Sequence, residues 1–240
     1  MGYVETSIIA LRGAYETLAI SAPTVIESMQ GRVTREVCDR RIWRYGARLI
    51  QQAQIDLRVE GAEQLLAHGS ERFVVMSNHK SHYDIPVIFH GMPGRSIRMV
   101  TKSEITRIPI WGHALLASGF VSVERRNREK AIESLQHATS ALDPAIDLWI
   151  SPEGGRSRTP VLQPFKKGGF HLACDLQRRI LPVALIGTNL VCPPDSFQIN
   201  TGKTVTMRIG APIETAKFKD DLTLLMDLTY HRIHELLTAS

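Results

Sequence analysis

Two side chains that can exchange or orient a proton, His79 and Asp84, lie five residues apart after a short apolar run. The run, residues 73–76, predicts a buried strand, so His79 falls where a strand ends and a helix begins. In open α/β sheets, ligands bind beyond the carboxyl ends of the strands. Histidine titrates near neutral pH, and a carboxylate one helical turn away can orient it. With Asn78 beside it as a cap or orienting amide, the pattern predicts a general base at His79 assisted by Asp84.

Other roles for this histidine compete with catalysis. A single histidine at a helix start is more often a capping or core residue than a catalyst. His79, His82 and Asp84 could share a metal ion, but no further His, Asp or Glu cluster completes a shell, so no metal is predicted. A serine nucleophile is disfavoured because no G-x-S-x-G elbow exists and Ser81 lies too close to His79. We therefore expect a base that activates a hydroxyl of the substrate itself.

Three further stretches place basic residues or glycines beside predicted strand ends or helix starts. Residues 151–158 follow a buried strand; their glycines let backbone approach a ligand, and Arg156 and Arg158 can form a fork around phosphate. Residues 119–126 contribute arginines at a strand end, and residues 165–169 contribute two lysines at a helix start. Taken singly, each cluster is more simply explained as solvated charge. Their recurrence around one sheet favours a site for an anionic group.

Alternating strands and helices position these residues. Period-two or buried apolar runs predict strands over residues 55–59, 73–76, 97–101, 120–123, 147–150, 181–186 and 204–209. Helices are predicted after Gly61, over residues 85–90, 105–117 and 128–142, after Gly168, and up to about Leu237, with a loop after residue 186. This alternation predicts an α/β fold, a mostly parallel central sheet covered by helices, in a domain of residues 53–240.

Residues 1–52 differ in kind and predict an N-terminal amphipathic two-helix segment. The first helix, which Pro23 is expected to end or kink, carries an apolar stripe: Val4, Ile8, Leu11, Tyr15 and Leu18. The second, residues 33–52, carries Cys38, Ile42, Tyr45 and Leu49, with Arg32, Arg35, Arg40, Arg41, Arg44 and Arg48 around them. Such stripes usually pack as core. They can also enter a bilayer while arginines hold anionic headgroups, and the two interpretations are compatible.

Composition narrows the classes of partner. A formal charge of +5 and a pI near 9.3 favour an anionic partner, such as a membrane surface or a phosphorylated substrate. Aromatic residues make up 6% and do not interleave with basic ones, so no nucleic-acid partner is expected. Three scattered cysteines indicate neither disulfides nor zinc and favour a reducing compartment. No apolar run approaches the roughly 20 residues of a membrane span, so we expect a peripheral protein on the cytoplasmic face of a membrane.

Four blocks of sequence resemble, in order, those of the glycerolipid acyltransferase family. They are Asn78-His79 with Asp84, Gly119-Phe120 through Arg125, Pro152-Glu153-Gly154 with residues 156–158, and Leu181-Pro182-Val183. Segments around Lys102 and over residues 165–169 are also similar to the family. The likeness covers about residues 59–187 and is specific because several spaced motifs agree. Within the family, the chain looks like the bacterial lysophosphatidic acid acyltransferases of the PlsC type.

The resemblance implies an enzyme that moves a fatty acyl group from acyl-CoA or acyl-carrier protein to the free hydroxyl of lysophosphatidic acid. It implies no cofactor, since the acyl donor is a substrate. His79 would be the general base and Asp84 its partner. The resemblance assigns the acceptor phosphate to Arg125, Glu153, Gly154 and Arg156, with Asn78, Lys102, Ser157 and Lys166 in supporting positions.

Two residues depart from the family pattern. The third block usually begins with Phe and has Thr before its Arg, whereas Ser151 and Gly155 stand at those positions here. Losing the threonine removes a hydroxyl and loosens the loop, which leaves the acceptor headgroup open. Glycerol 3-phosphate or another lysophospholipid is therefore an alternative acceptor. A non-catalytic membrane-binding module is a further alternative, against which the presence of both His79 and Asp84 argues.

Overall fold

A computed structural model describes residues 3–124, 142–218 and 220–239 of the chain. The strands found there form one sheet: Asp56–Glu60 (β1), Val74–Ser77 (β2), Ile97–Lys102 (β3), Val121–Val123 (β4), Asp147–Ile150 (β5), Ile180–Ile186 (β6) and Thr204–Ile209 (β7). Their order across the sheet is β1-β7-β6-β2-β5-β3-β4. Every neighbouring pair is parallel except β6 and β7, which are antiparallel. The predicted α/β fold with a mostly parallel sheet is confirmed.

The central strands β2 and β5 are buried along their whole length, which explains their continuous apolar sequences. Successive side chains point to opposite faces of the sheet. Val75 and Trp149 therefore belong to the apolar cluster on one face, and Val74 and Leu148 belong to the cluster on the other. Packing on both faces makes these strands a rigid support for the loops that follow Ser77 and Ile150 at their carboxyl ends.

The helices are Tyr3–Met29 (α1), Arg35–Gln52 (α2), Glu63–Ala67 (α3), Asp84–Gly91 (α4), Trp111–Ala117 (α5), Gly168–Asp175 (α6), Thr188–Val191 (α7) and Leu222–Thr238 (α8). The four-residue helix α7 stands where a loop was predicted. The helix predicted over residues 128–142 lies outside the described residues except at its last position. None of the helices in the described ranges is both long and apolar enough to cross a bilayer.

Of the two effects expected of Pro23, ending α1 is wrong, because the helix continues to Met29 with the proline inside it. Contacts with α2 hold the turn after the proline. Arg41 donates hydrogen bonds to Thr24 Oγ1 at 3.0 Å and to Glu27 Oε1 at 2.7 Å. These tertiary contacts offset the helix hydrogen bond that a proline cannot donate.

The helix predicted over residues 105–117 is also wrong as a single element. It is divided into a 3₁₀ turn, Ile105–Arg107, and α5. Pro109 and Ile110 separate the two, and Ile110 has a φ of 65°, which is rare for a β-branched residue. Gly112 allows the two pieces to pack closely, since a Cβ there would lie 2.1 Å from the carbonyl oxygen of Thr106.

The apolar stripes of the two N-terminal helices face in different directions, inward on α2 and outward on α1. The stripe of α2 is core, with Cys38 and Ile42 buried in the same apolar cluster as α4. In α1 the core interpretation is wrong. The described members of its stripe are exposed: Ile8 by 43%, Leu11 by 71%, Tyr15 by 67% and Leu18 by 51%. The inward face of α1 is mixed: Ile9 joins the apolar core cluster, whereas Glu16 is buried and accepts a hydrogen bond from Arg48 at 2.6 Å.

Candidate active site

The loop between β2 and α4 brings His79 and Asp84 into direct contact. His79 Nδ1 lies 2.7 Å from Oδ2 of Asp84, which is fully buried. The same oxygen accepts the backbone N–H groups of Lys80 at 2.7 Å and Ser81 at 2.8 Å. Since a carboxylate oxygen only accepts, this contact selects the tautomer of the neutral ring in which Nδ1 carries the proton and Nε2 is the acceptor. The helix begins at Asp84, not at His79, so a loop turn and not a helical turn joins the pair.

A fixed wall supports the imidazole. The ring of His79 meets that of Trp149 edge to face, with centroids 5.8 Å apart and an interplanar angle of 83°. Trp149 is buried and donates its indole N–H to Ser77 Oγ at 2.9 Å. The His79 side chain remains 18% exposed, and its Nε2 has no hydrogen-bond partner within the described ranges. The free nitrogen is thus available to a substrate hydroxyl.

Asn78 anchors the loop instead of orienting the imidazole. Its side-chain amide donates to the carbonyl oxygen of Leu185 and its Oδ1 accepts from the N–H of Leu185, both at 2.8 Å. This reciprocal pair extends the contact between β2 and β6 by one step. The pair fixes the position of Asn78, the first residue of the loop, and therefore also that of His79, which follows it.

Glu153 and Ser157 hold the backbone of His79 from the opposite side. Glu153 Oε1 accepts the N–H of His79 and Oε2 accepts that of Gln163, both at 2.9 Å. The backbone N–H of Ser157 donates to the carbonyl oxygen of His79 at 2.7 Å. Burial raises the pKa of Glu153, and the hydrogen bonds from the backbone of Gln163 and His79 lower it in part. With both oxygens occupied, the geometry favours a positioning role for Glu153 over contact with a ligand phosphate.

Gly154 and Lys166 pack on each other away from the base. Gly154 has a φ of 78°, and a Cβ at this position would lie 2.7 Å from the Lys166 side chain. The backbone N–H of Lys166 donates to the carbonyl oxygen of Pro152 at 2.8 Å. The contact therefore secures the glycine turn, and Lys166 does not line the cleft into which His79 faces.

An open cleft of about 750 Å³ lies at the carboxyl ends of β2, β3 and β5. His79, Lys102 and Arg156 line it, so the structure brings the base together with two of the predicted cationic residues. Arg156 also donates to the carbonyl oxygen of Pro194. The predicted contributor Arg125 lies outside the described residues. The cleft thus combines a base with positive charge suited to an anionic substrate group.

His82 forms a wall of the cleft, a role that its spacing from His79 did not predict. Its ring stacks on Phe197 with centroids 6.4 Å apart. Burial lowers the pKa of His82, and the charges of Arg156 and His79 lower it further. A neutral ring at pH 7 follows, because the ordinary value of 6.5 already lies below that pH. In the described part of the chain, no group of three or more His, Cys, Asp or Glu side chains is arranged to hold a metal.

A second, mostly apolar cavity of about 620 Å³ adjoins the cleft, and sequence reasoning did not anticipate it. It is enclosed by side chains from α1, α2 and α5, including Ile20, Ile42 and Leu115. Ile85 and Met99 line both the cavity and the cleft. These two side chains form the boundary that the apolar cavity and the cleft have in common.

A family model described as "Acyltransferase" matches residues 56–186, more than half of the chain and including both His79 and Asp84. The chain belongs to the acyltransferase family, as its motifs predicted.

Particular relatives carry a narrower name. The chain is similar to proteins named 1-acyl-sn-glycerol-3-phosphate acyltransferase from Cocos nucifera, at 30% identity over 69% of this chain and 52% of that protein. The corresponding protein of Saccharomyces cerevisiae is 31% identical over 70% of this chain and 54% of its own length. The chain spans about half the length of the curated relatives it matches. The crystal structure of the 1-acyl-sn-glycerophosphate acyltransferase PlsC from Thermotoga maritima superposes with a TM-score of 0.77 and 22% identity, covering 97% of this chain and 95% of that one. At this identity the match establishes the fold.

Proposed function

We propose that the protein transfers a fatty acyl group from an acyl thioester to the free hydroxyl of lysophosphatidic acid, forming phosphatidic acid. The observation that carries this proposal is the His79–Asp84 pair, which faces a cleft also lined by Lys102 and Arg156. The names of the curated relatives support the same acceptor. The positive charge of the two cations matches an acceptor that carries a phosphate close to its reacting hydroxyl.

The chemical step needs a base but no covalent enzyme intermediate. His79 Nε2 takes the proton of the acceptor hydroxyl as its oxygen attacks the thioester carbonyl carbon. The carbon–sulfur bond then breaks, an ester forms, and the same proton passes from His79 to the departing thiolate. Asp84 keeps the imidazole in the required tautomer and stabilises the transient imidazolium. Because a thioester is already activated, we propose that neither a metal nor a cofactor takes part, with acyl-CoA or acyl-carrier protein as donor.

The apolar cavity beside the cleft is suited to the acyl chain. Ile85 and Met99 line both spaces, and we propose that a thioester with its carbonyl near His79 passes these two side chains and places its hydrocarbon tail among α1, α2 and α5. Burying apolar surface in such a cavity contributes roughly 25 cal/mol per Å². This arrangement separates the apolar tail from the charged acceptor end on either side of the base.

The direct test is a panel of acyl donors and acceptors, with the products identified by mass spectrometry. We expect phosphatidic acid from lysophosphatidic acid, with turnover unaffected by a metal chelator. A preference for glycerol 3-phosphate or for a lysolipid with another headgroup would replace the proposed acceptor. Failure of every acceptor with a folded protein would leave a non-catalytic membrane-binding module as the better account.

We also propose that the N-terminal helices place the cleft on an anionic membrane surface, with the protein bound peripherally. The exposed stripe of α1 groups apolar side chains along one helix face of a protein with a formal charge of +5, which is typical of an interfacial helix. Arg40 and Arg44, one turn apart on α2, are exposed and form no ion pair within the described part of the chain. Each exposed arginine near an anionic surface contributes about 1 kcal/mol to binding.

Replacing Leu11 with glutamate tests this membrane contact. We expect affinity for anionic phospholipid vesicles to fall about tenfold or more, because a leucine no longer buried in the bilayer forfeits about 1.5–3 kcal/mol. Cosedimentation with vesicles would measure the change. Leu66→Glu is the matched control, since Leu66 is 82% exposed, against 71% for Leu11, but lies on α3. If both variants bind like the unmodified protein, or if both lose affinity equally, α1 is not the membrane contact.

Glu153→Gln distinguishes positioning from phosphate binding. An amide offers one acceptor oxygen where the carboxylate accepts two backbone N–H groups, so one of these hydrogen bonds is lost. We expect a destabilisation of about 1–3 kcal/mol and a kcat about tenfold lower, with an unchanged KM for the acceptor. Thermal denaturation and steady-state kinetics measure the two effects. A raised acceptor KM with unchanged kcat would instead assign Glu153 to the phosphate.

The same variant has a pH signature. Because burial raises the folded-state pKa of Glu153 above 4.5, the folded protein binds its proton more tightly than the unfolded chain does. The contribution of Glu153 to stability is therefore greatest below pH 4.5 and declines as pH rises through the folded-state pKa. The stability gap between wild type and Glu153→Gln should be wider in acid than at pH 7. Glu63→Gln, at an exposed position on α3, should show no such trend.

A further inference from the structure

Two hydroxyl groups in the cleft are buried without any hydrogen-bond partner in the described part of the chain. They are Thr101 Oγ1 and Ser151 Oγ, and both residues line the cleft that contains His79. Thr101 is only 2% exposed. Native proteins pair nearly all buried polar atoms, because an unpaired hydroxyl loses its bonds to water without replacement. An unpaired hydroxyl at the wall of a cleft therefore points to a ligand atom that completes it.

The sheet places the two hydroxyls side by side. Strands β3 and β5 are parallel neighbours, with Met99 opposite Trp149. Thr101 and Ser151 each lie two residues further along, so strand alternation returns both to the face of Met99 and Trp149. Trp149 is the ring against which His79 packs. The hydroxyl pair thus continues the row of side chains that supports the base, further towards the carboxyl ends of the strands.

The surroundings of this pair are cationic and open. Lys102 follows Thr101 directly, and Arg156 lines the same cleft. Gly155, which also lines it, has no atom within 4 Å of the position that a Cβ would occupy. Hydroxyl donors beside two cations suit an anion rich in oxygen atoms. The apolar cavity beyond Ile85 is suited to a hydrocarbon tail, so the oxygen-rich group is better matched by the hydroxyls and cations of the cleft.

We propose that the hydroxyls of Thr101 and Ser151 donate hydrogen bonds to the phosphate end of the acyl acceptor and thereby set its affinity. This inference rests on the proposed acyl transfer. A phosphate could also come from the donor's carrier, and the kinetics below separate the two sources. Ser151 and Gly155 are the two departures from the family's third block, and both line the cleft. Gly155 lacks the hydroxyl of the usual threonine, whereas Ser151 adds a hydroxyl where the family usually has phenylalanine.

The test compares Thr101→Val, Ser151→Ala and the double variant with the unmodified protein. Each lost hydrogen bond to an anion should raise the acceptor KM about tenfold and the double variant's by about a hundredfold, with the donor KM unchanged. The melting temperature should stay equal or rise, because an unpaired buried hydroxyl has been removed. Thr101→Ser, which keeps the hydroxyl, should retain the original acceptor KM.

Thr188→Val is the matched control. Thr188 Oγ1 is equally buried and unpaired among the described residues, but Thr188 does not line the cleft. Its substitution should leave the acceptor KM unchanged. An unchanged acceptor KM in the double variant, a raised donor KM in its place, or an equal effect of Thr188→Val would each overturn the proposal.

Calorimetric titration with sn-glycerol 3-phosphate, without any donor, separates this inference from the proposed reaction. We expect the double variant to bind this probe at least tenfold more weakly than the unmodified protein. That arm needs no turnover. If no acyl group is transferred but the difference in binding is present, the proposed reaction fails and the phosphate site stands. If acyl transfer occurs and the two proteins bind the probe equally, the reaction stands and the site assignment fails.

Discussion

Replacing His79 with alanine is expected to lower kcat/KM for acyl transfer by about 10²–10⁴-fold. Without the imidazole, no side chain that is hydrogen-bonded to Asp84 in the described part of the chain remains to take the proton of the acceptor hydroxyl. The fold should persist, since Asp84 Oδ2 keeps the backbone N–H groups of Lys80 and Ser81. Product formation from a labelled acyl thioester, alongside thermal denaturation, measures both effects.

A histidine outside the cleft provides the control for this variant. His171 is exposed on α6, and His171→Ala should retain wild-type turnover. The expected loss should also appear in kcat and not only in KM, because proton abstraction belongs to the transition state. Near-normal thioester consumption by a folded His79→Ala protein would refute the general-base assignment.

Asp84→Asn is expected to have an effect of similar size, about 10²–10⁴-fold on kcat/KM. The asparagine oxygen can still accept the N–H groups of Lys80 and Ser81, so the loop should keep its shape. A neutral amide, however, no longer stabilises the imidazolium that forms when His79 takes a proton.

The double variant sharpens this second prediction. Residues that act as a unit are strongly non-additive, so the His79→Ala, Asp84→Asn protein should be no slower than His79→Ala alone. Asp221→Asn is the matched control, because Asp221 also stands at a helix start and accepts the N–H of Leu224 at 3.0 Å. Multiplying losses in the double variant would show that the two residues act independently, contrary to the pair seen in the structure.

The strands were predicted well where burial is complete. The bounds of β5 and β7 match the predicted residues 147–150 and 204–209, because polar or turn-forming residues flank each apolar run. Helices were less predictable. The break near Pro109 depends on the unusual backbone of Ile110 and on the close approach of Gly112 to Thr106. Neither can be read from propensity, since both result from packing between neighbouring segments.

The predicted site residues divide into two sets in the structure. His79, Lys102 and Arg156 meet at the cleft, whereas Asn78, Glu153 and Ser157 hold the backbone around the base. The resemblance to the family's sequence blocks identified both sets together, because each block contains residues that hold the backbone as well as residues that line the cleft. Which residue does which depends on the partner of each polar atom, and these partners lie more than 70 positions apart along the chain.

The sequence by itself determined the fold class, the family, and the pairing of His79 with the carboxylate of Asp84. Local periodicity and motif order carry that information, because both depend on residues close together in the chain. Only the tertiary structure decided that the apolar stripe of α1 faces outward, since periodicity defines a face but not what covers it. It likewise decided that Thr101 and Ser151, in the cleft that contains His79, carry hydroxyls with no hydrogen-bond partner among the described residues. Whether a polar group finds a hydrogen-bond partner is decided only when strands that are distant in sequence come together, as β3 and β5 do here.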